Sequence, residues 1–146
     1  MYCDRFKLLG DITLNKDYAT CSFYPNYIFY KDGKIFNIKK QRFLNKCLTI
    51  NKYEYVLLCN NGKKTHFYVH RLIYLLFVDD IPEGYEIEHL DHCRNNNNCN
   101  NLTCITIAEN RQTRRKNNNE YSEFDKKHND KYKKYYHNYY INKKNN

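Results

Sequence analysis

The sequence contains no apolar run of the roughly 18 residues that a membrane-spanning helix needs, and no apolar leader at its N-terminus. Secretion and membrane insertion are therefore not expected. Tryptophan is absent, and there is no internal repeat and no CxxC pair. The missing CxxC removes the commonest framework for structural zinc. The seven cysteines are an odd number, and without a leader they read as reduced thiols in a cytoplasmic or nuclear setting. Heavy use of Asn, Lys and Tyr beside the absent Trp suggests an AT-rich coding sequence, which bears on source and not on chemistry.

What is present is charge. The 146 residues suit one domain of modest core with a tail, and carry a formal +9. Residues 1–110 hold 14 Lys+Arg against 12 Asp+Glu, a net of +2, while residues 111–146 hold 11 against 4, a net of +7. A basic surplus of this kind is the electrostatic footprint of a polyanion partner. The attraction is concentrated in a C-terminal stretch whose tyrosines, at 132, 135, 136, 139 and 140, interleave with the lysines. That stretch reads as one further helix or as a tail that orders on binding.

The pattern gives an α+β chain in three parts. Residues 1–68 form an N-terminal β-hairpin region. Residues 1–21 give little signal, with Cys3 and Cys21 read as buried thiols. Tyr27 to Tyr30 and Ile35 to Ile38 flank Asp32-Gly33, a strong hairpin signal. Tyr53 to Leu58 and Thr65 to Val69 flank a second turn at Asn60-Asn61-Gly62, and both pairs are expected in one small antiparallel sheet. Residues 69–117 open with a helix: Val69, Leu72, Ile73, Leu76 and Phe77 share one face, ending before Pro82. His70 and Arg71 at its start read equally as a packing pair or as phosphate contacts. Tyr85 to His89 is a strand, 90–100 a polar loop with Asn95 to Asn98 in succession, and Leu102 to Thr106 a second strand. Thr106 and Glu109 make a capping box for a helix that carries Asn110 in its first turn, with Arg111, Arg114 and Arg115 on one face. Residues 118–146 are the basic tail.

Strand, irregular loop, strand and capped helix make a ββα unit. Such a unit brings a strand histidine and a helix asparagine 21 residues apart (110 − 89) to one place. Phosphodiester hydrolysis needs a base for water, charge neutralisation at phosphorus and stabilisation of the leaving 3′-oxygen. His89 suits the first, its imidazole titrating near the working pH. A hard cation with open positions, Mg²⁺ or Mn²⁺, suits the other two, with Glu88 and the amide oxygen of Asn110 as ligands. Asn101 is expected to bond across the loop and set its shape, completing a catalytic set of His89, Asn101 and Asn110. His70, Arg71, Arg94, Arg111, Arg114, Arg115 and Lys116 are assigned to DNA. Cys93, Cys99 and Cys104 beside His92 could take zinc only with atypical spacing, six residues separating Cys93 from Cys99 (99 − 93).

With 22 asparagines in the chain, one spacing could arise by chance. The ordered string is more specific: Val69-His70-Arg71-Leu72-Ile73, Phe77, Glu88-His89-Leu90-Asp91, Asn95-Asn96, Asn101-Leu102, Ile105-Thr106 and Glu109-Asn110. Over residues 27–112 it resembles the HNH homing endonucleases of phage introns and large DNA viruses. The resemblance implies a ββα-metal fold, metal-dependent nicking or double-strand cleavage of double-stranded DNA, and a basic C-terminal grip on the duplex. Two positions depart from the family: Glu88 stands where Asp or Asn is usual, and His92 where glycine usually follows the aspartate. Two alternatives stay open: an inactive HNH-fold DNA binder, and a zinc-stabilised RNA-binding protein.

Overall fold

The computed structural model describes residues 4–112. The Arg114, Arg115 and Lys116 assignments, Cys3 and the 118–146 tail lie outside the described residues. The chain divides into two units, residues 1–107 and 108 onward.

The first unit begins with a short helix, α1 (Arg5–Leu9), whose start is fixed by Asp4: its Oδ1 accepts from the backbone N–H groups of Phe6 (2.9 Å) and Lys7 (3.2 Å). Strands β1 (Ile12–Leu14) and β2 (Tyr18–Cys21) follow. The sequence gives little sign of these elements because the helix has barely one turn and β1 buries none of its three residues fully. Next come β3 (Tyr27–Tyr30), β4 (Ile35–Asn37), β5 (Arg42–Phe43), β6 (Cys47–Leu48), β7 (Glu54–Asn60) and β8 (Lys63–Tyr68).

The two hairpins do not share one sheet as expected. The first sits in a five-stranded antiparallel sheet ordered β1-β2-β3-β4-β5, and the second in a three-stranded sheet ordered β6-β7-β8. Each hairpin recruits its own flanking strands, β2 and β5 for the first and β6 for the second. Their buried faces meet in one core with helix α2 (Val69–Phe77): Phe29 and Ile35 come from one sheet, Val56 and Leu58 from the other, and Leu72, Ile73 and Leu76 from the helix. Burying each such side chain contributes about 1.5–3 kcal/mol. Tyr68 precedes α2 without a side-chain cap bond, so packing rather than capping holds its start.

The unit closes with β9 (Tyr85–His89) and β10 (Leu102–Thr106), a two-stranded antiparallel ribbon with His89 opposite Leu102 and Ile87 opposite Cys104. A single 3₁₀ turn, Cys99–Asn101, precedes β10. The α+β class and the hairpins-then-ββα order agree with the sequence reading. The second unit is described only at its start, where the helical turn over 107–112 continues past Ile107. Among the described residues no helix is long and apolar enough to cross a membrane.

Candidate active site

Alternation along β9 puts Ile87 and His89 in the interior while Glu86 and Glu88 stay half-buried on the other face. Both ends of the ribbon are fastened by backbone bonds, Ile107 N–H to Gly84 C=O (3.0 Å) and Leu90 N–H to Asn101 C=O (2.8 Å). Residues 90–101 then form a loop organised on Asp91. Its Oδ1 accepts from Cys93 N–H (2.8 Å) and Asn101 Nδ2 (2.8 Å), and its Oδ2 accepts from Asn96 Nδ2 (2.6 Å). Asn101 answers by accepting from the Asp91 N–H at 3.1 Å and donating to Asn96 C=O at 2.9 Å. Partial burial works against the Asp91 carboxylate, but the bonds from Asn96, Asn101 and Cys93 outweigh it and hold the group below the usual carboxylate range. Asn101 therefore sits in the loop brace. His92 adopts a left-handed φ of 57°, the conformation that glycine takes without strain, and donates its backbone N–H to His89 C=O at 2.9 Å.

His89 is nearly enclosed. Its Nε2 lies 3.0 Å from Asn97 Oδ1; Asn97 Nδ2 donates to Glu54 Oε2 at 2.7 Å, and Lys46 Nζ donates to the same oxygen at 2.8 Å. The rings of His70 and Tyr53 lie 5.3 and 6.3 Å from the His89 ring. Burial lowers the imidazole pKa, opposed in part by the Asn97 bond and the nearby Asp91 carboxylate, so the neutral, proton-accepting form is present at pH 7.

Glu88 keeps a carboxylate near the surface of the ribbon, its Oε1 3.6 Å from His92 Nδ1. Asn110 is buried on the first turn of the second unit. A carboxylate and an amide oxygen are each hard donors of the kind a divalent cation takes, so each donor type suits Mg²⁺. Among the described residues no three His, Cys, Asp or Glu side chains are grouped to hold a metal. The three thiols considered for zinc have separate surroundings. Cys93 is half-buried and donates toward Asn95 Oδ1 at 3.2 Å; Cys99 is buried, and Cys104 packs on the core.

The residues assigned to DNA divide. Arg111 is exposed and Arg71 half-buried. Arg94 donates to Asn51 C=O at 2.9 Å, and its guanidinium lies 5.0 Å from the Tyr53 ring centre. His70 is interior, packed on Tyr53 at 5.0 Å and with a buried Nδ1 that no hydrogen bond satisfies. Of its two readings, packing is the one its burial favours. Burial, then His89 and Arg71, push its pKa down to about 3, so it carries no charge to offer a phosphate at neutral pH.

That depression gives a stability prediction. The folded His70 excludes a proton that the unfolded chain takes up below about pH 6.5, so its contribution is complete above that value and is lost as pH falls toward 3. Between pH 6.5 and 4.5 the slope from this one group is about 1.4 kcal/mol per pH unit at most. Urea midpoints across this window should fall for the wild type and fall less steeply for His70→Phe; equal slopes would refute the assignment.

Lys46, Glu54, Asn97 and Tyr53 escaped the sequence reading as site residues. Nothing distinguishes Asn97 among four consecutive asparagines, and Glu54 lies 43 positions before this loop residue, on the three-stranded sheet.

A family model of HNH endonucleases matches residues 67–112. An uncharacterized HNH endonuclease of Acanthamoeba polyphaga mimivirus is 28% identical over 86 residues, covering 58% of this chain and 26% of that protein. The DNA endonuclease I-HmuI of Bacillus phage SP01 is 30% identical over 81 residues, 56% of this chain and 47% of that one. A solved structure titled for DNA binding and cleavage by the HNH homing endonuclease I-HmuI superposes with a TM-score of 0.61 at 24% identity, covering 71% of this chain and 62% of that chain. The chain thus spans about a quarter of the first relative's length and about half of the second's. The β9–loop–β10 ribbon and the start of the following helix all fall inside the matched segment, so the part of the chain that is similar to the HNH endonucleases is the part that carries His89 and the loop around it.

Proposed function

We propose that this protein is a divalent-metal-dependent endonuclease that nicks or cuts double-stranded DNA. The observation that carries the reading is the state of His89: enclosed, held at Nε2 by Asn97, and kept neutral by burial. An imidazole held in this way offers its other ring nitrogen, Nδ1, to a water near the scissile phosphate. Glu88 and Asn110 would hold the cation, which when bound supplies charge neutralisation at phosphorus and at the leaving 3′-oxygen. Asn101 acts one step back, through the Asp91 brace that sets the loop's shape. Attack by water with departure of the 3′-oxygen leaves 5′-phosphate and 3′-hydroxyl ends. Arg71, Arg94 and Arg111, with Arg114, Arg115 and Lys116 beyond the described residues, would supply phosphate contacts that position the duplex without reading sequence.

The test is conversion of supercoiled plasmid at low salt with Mg²⁺, Mn²⁺ or EDTA. Metal-dependent formation of open-circle or linear DNA is expected, with open circle alone indicating nicking. Salt-sensitive binding without cleavage in either metal would instead identify a DNA-binding protein that has lost its chemistry, with Glu88 as the first position to revert to Asp.

A further inference from the structure

The N-terminal sheets contribute to the candidate site as well as supporting it. We infer that Glu54, paired with Lys46, is a positioning residue that sets which nitrogen of His89 carries the proton. The inference rests on the reading of His89 as the base, and concerns residues outside the matched family segment.

An asparagine amide can face a histidine with either its oxygen or its nitrogen, and the two choices have opposite consequences. With oxygen toward the ring, Nε2 must donate, so Nε2 holds the proton and Nδ1 keeps the lone pair. With nitrogen toward the ring, Nε2 must accept, and Nδ1 carries the proton and cannot take one from water. Asn97 alone does not decide between them. Glu54 does: its carboxylate only accepts, and at 2.7 Å it demands the Nδ2 group of Asn97, leaving Oδ1 for His89 at 3.0 Å. Lys46 Nζ, 2.8 Å from the same Glu54 oxygen, supplies the compensating charge for a carboxylate whose side chain is only 9% exposed. Asn97 is itself 1% exposed, so no water competes for its amide. The chain of bonds runs from β7 through the loop to the end of β9, fixing the ring through a connection that no motif spacing contains.

The tautomer can be read directly. In full-length protein with ¹⁵N-labelled histidine, long-range ¹H–¹⁵N spectra at a pH where His89 is neutral should show a single Nε2–H form. Proton occupancy at Nδ1 in the wild type would overturn the inference with no variant needed. Glu54→Leu removes the short acceptor, leaving Asn97 Nδ2 only the long 3.5 Å contact to Asn95 C=O, and should populate the second tautomer, with plasmid nicking reduced about 10- to 100-fold. Glu54→Gln should keep the Nε2–H form, because Lys46 and Asn97 both donate to the retained oxygen and orient the new amide. Adding Lys46→Met to Glu54→Gln removes one of those donors and should restore the mixture, and this neutral pair carries the same test if Glu54→Leu does not fold. A single Nε2–H form in both Glu54→Leu and the double variant would overturn the inference. The tautomer is measured without turnover, so a protein that shows these shifts but cuts no DNA would sustain the positioning role and defeat the nuclease reading.

Discussion

His89→Ala is expected to keep the proposed DNA binding and to lose the proposed cleavage. If His89 takes the proton of the attacking water, its loss should lower metal-dependent plasmid cleavage by about 10²- to 10⁴-fold, the usual contribution of a positioned general base. The substitution also has a structural cost, because His89 is 3% exposed and its loss strands the oxygen of Asn97. An unsatisfied buried acceptor costs about 1–3 kcal/mol, and the vacated space adds to that. His89→Gln separates the two effects. Its side-chain amide can still donate toward Asn97 Oδ1 but cannot act as a base at neutral pH. Both variants should lose cleavage to a similar extent, while only alanine should lose much stability. Binding, followed by gel shift over a salt series, should survive in both, since the proposed grip on DNA rests on arginine and lysine contacts to phosphate and not on His89. Wild-type cleavage rates in either variant would remove His89 from the mechanism.

The second large effect is expected at Gly33, far from any catalytic motif in sequence. This glycine closes the β3–β4 hairpin with a φ of 86°, and a Cβ built there would lie 2.9 Å from Asn97 Cβ and 3.3 Å from the Asn97 carbonyl oxygen. The hairpin turn also receives the loop directly, through a bond of 2.8 Å from Cys99 N–H to Lys31 C=O. Gly33→Ala therefore carries two costs: the strain of a left-handed alanine, about 1–2 kcal/mol, and a forced shift of the residue that holds His89. Gly62 is the control. It has a nearly equal φ of 80°, but nothing lies within 4 Å of its virtual Cβ. Gly62→Ala should show the strain alone, with a loss of about 1–2 kcal/mol and little change in cleavage. Gly33→Ala should lose more, roughly 2–4 kcal/mol in all, and more than about 10-fold in nicking rate. Equal losses of stability and activity in the two variants would show that the hairpin merely neighbours the loop and does not position it.

The parts of the molecule legible in the sequence are those whose determinants are local. The five apolar positions of α2 repeat at helical spacing, so the helix appears where the pattern places it. Asp32-Gly33 and Asn61-Gly62 turn where the chain must take a positive φ, and the structure has both glycines there. The ribbon partners β9 and β10 are separated only by their own loop, so strand, loop and strand follow from one another in order. The departure at His92 also has a local meaning: a left-handed residue stands where the family usually has glycine.

The missed features depend on encounters between distant segments. Two hairpin signals cannot reveal that each pairs with different neighbours, so one expected sheet became two. His70 could be weighed as packing or phosphate contact from its place on α2. Only its position against Tyr53 and His89 favours packing, because burial without a compensating bond keeps the ring neutral.

By itself, the sequence determined the α+β class, the ββα order and the resemblance to HNH endonucleases, since each rests on residue type and short spacing. Tertiary structure alone decided that Asn97, rather than its three neighbours, holds His89, and that Glu54, Lys46 and Gly33 stand behind it. The reason is that a hydrogen bond or a steric contact between segments leaves no periodicity in either one. It exists only when the fold has brought a donor to an acceptor, or a backbone without a Cβ against a side chain.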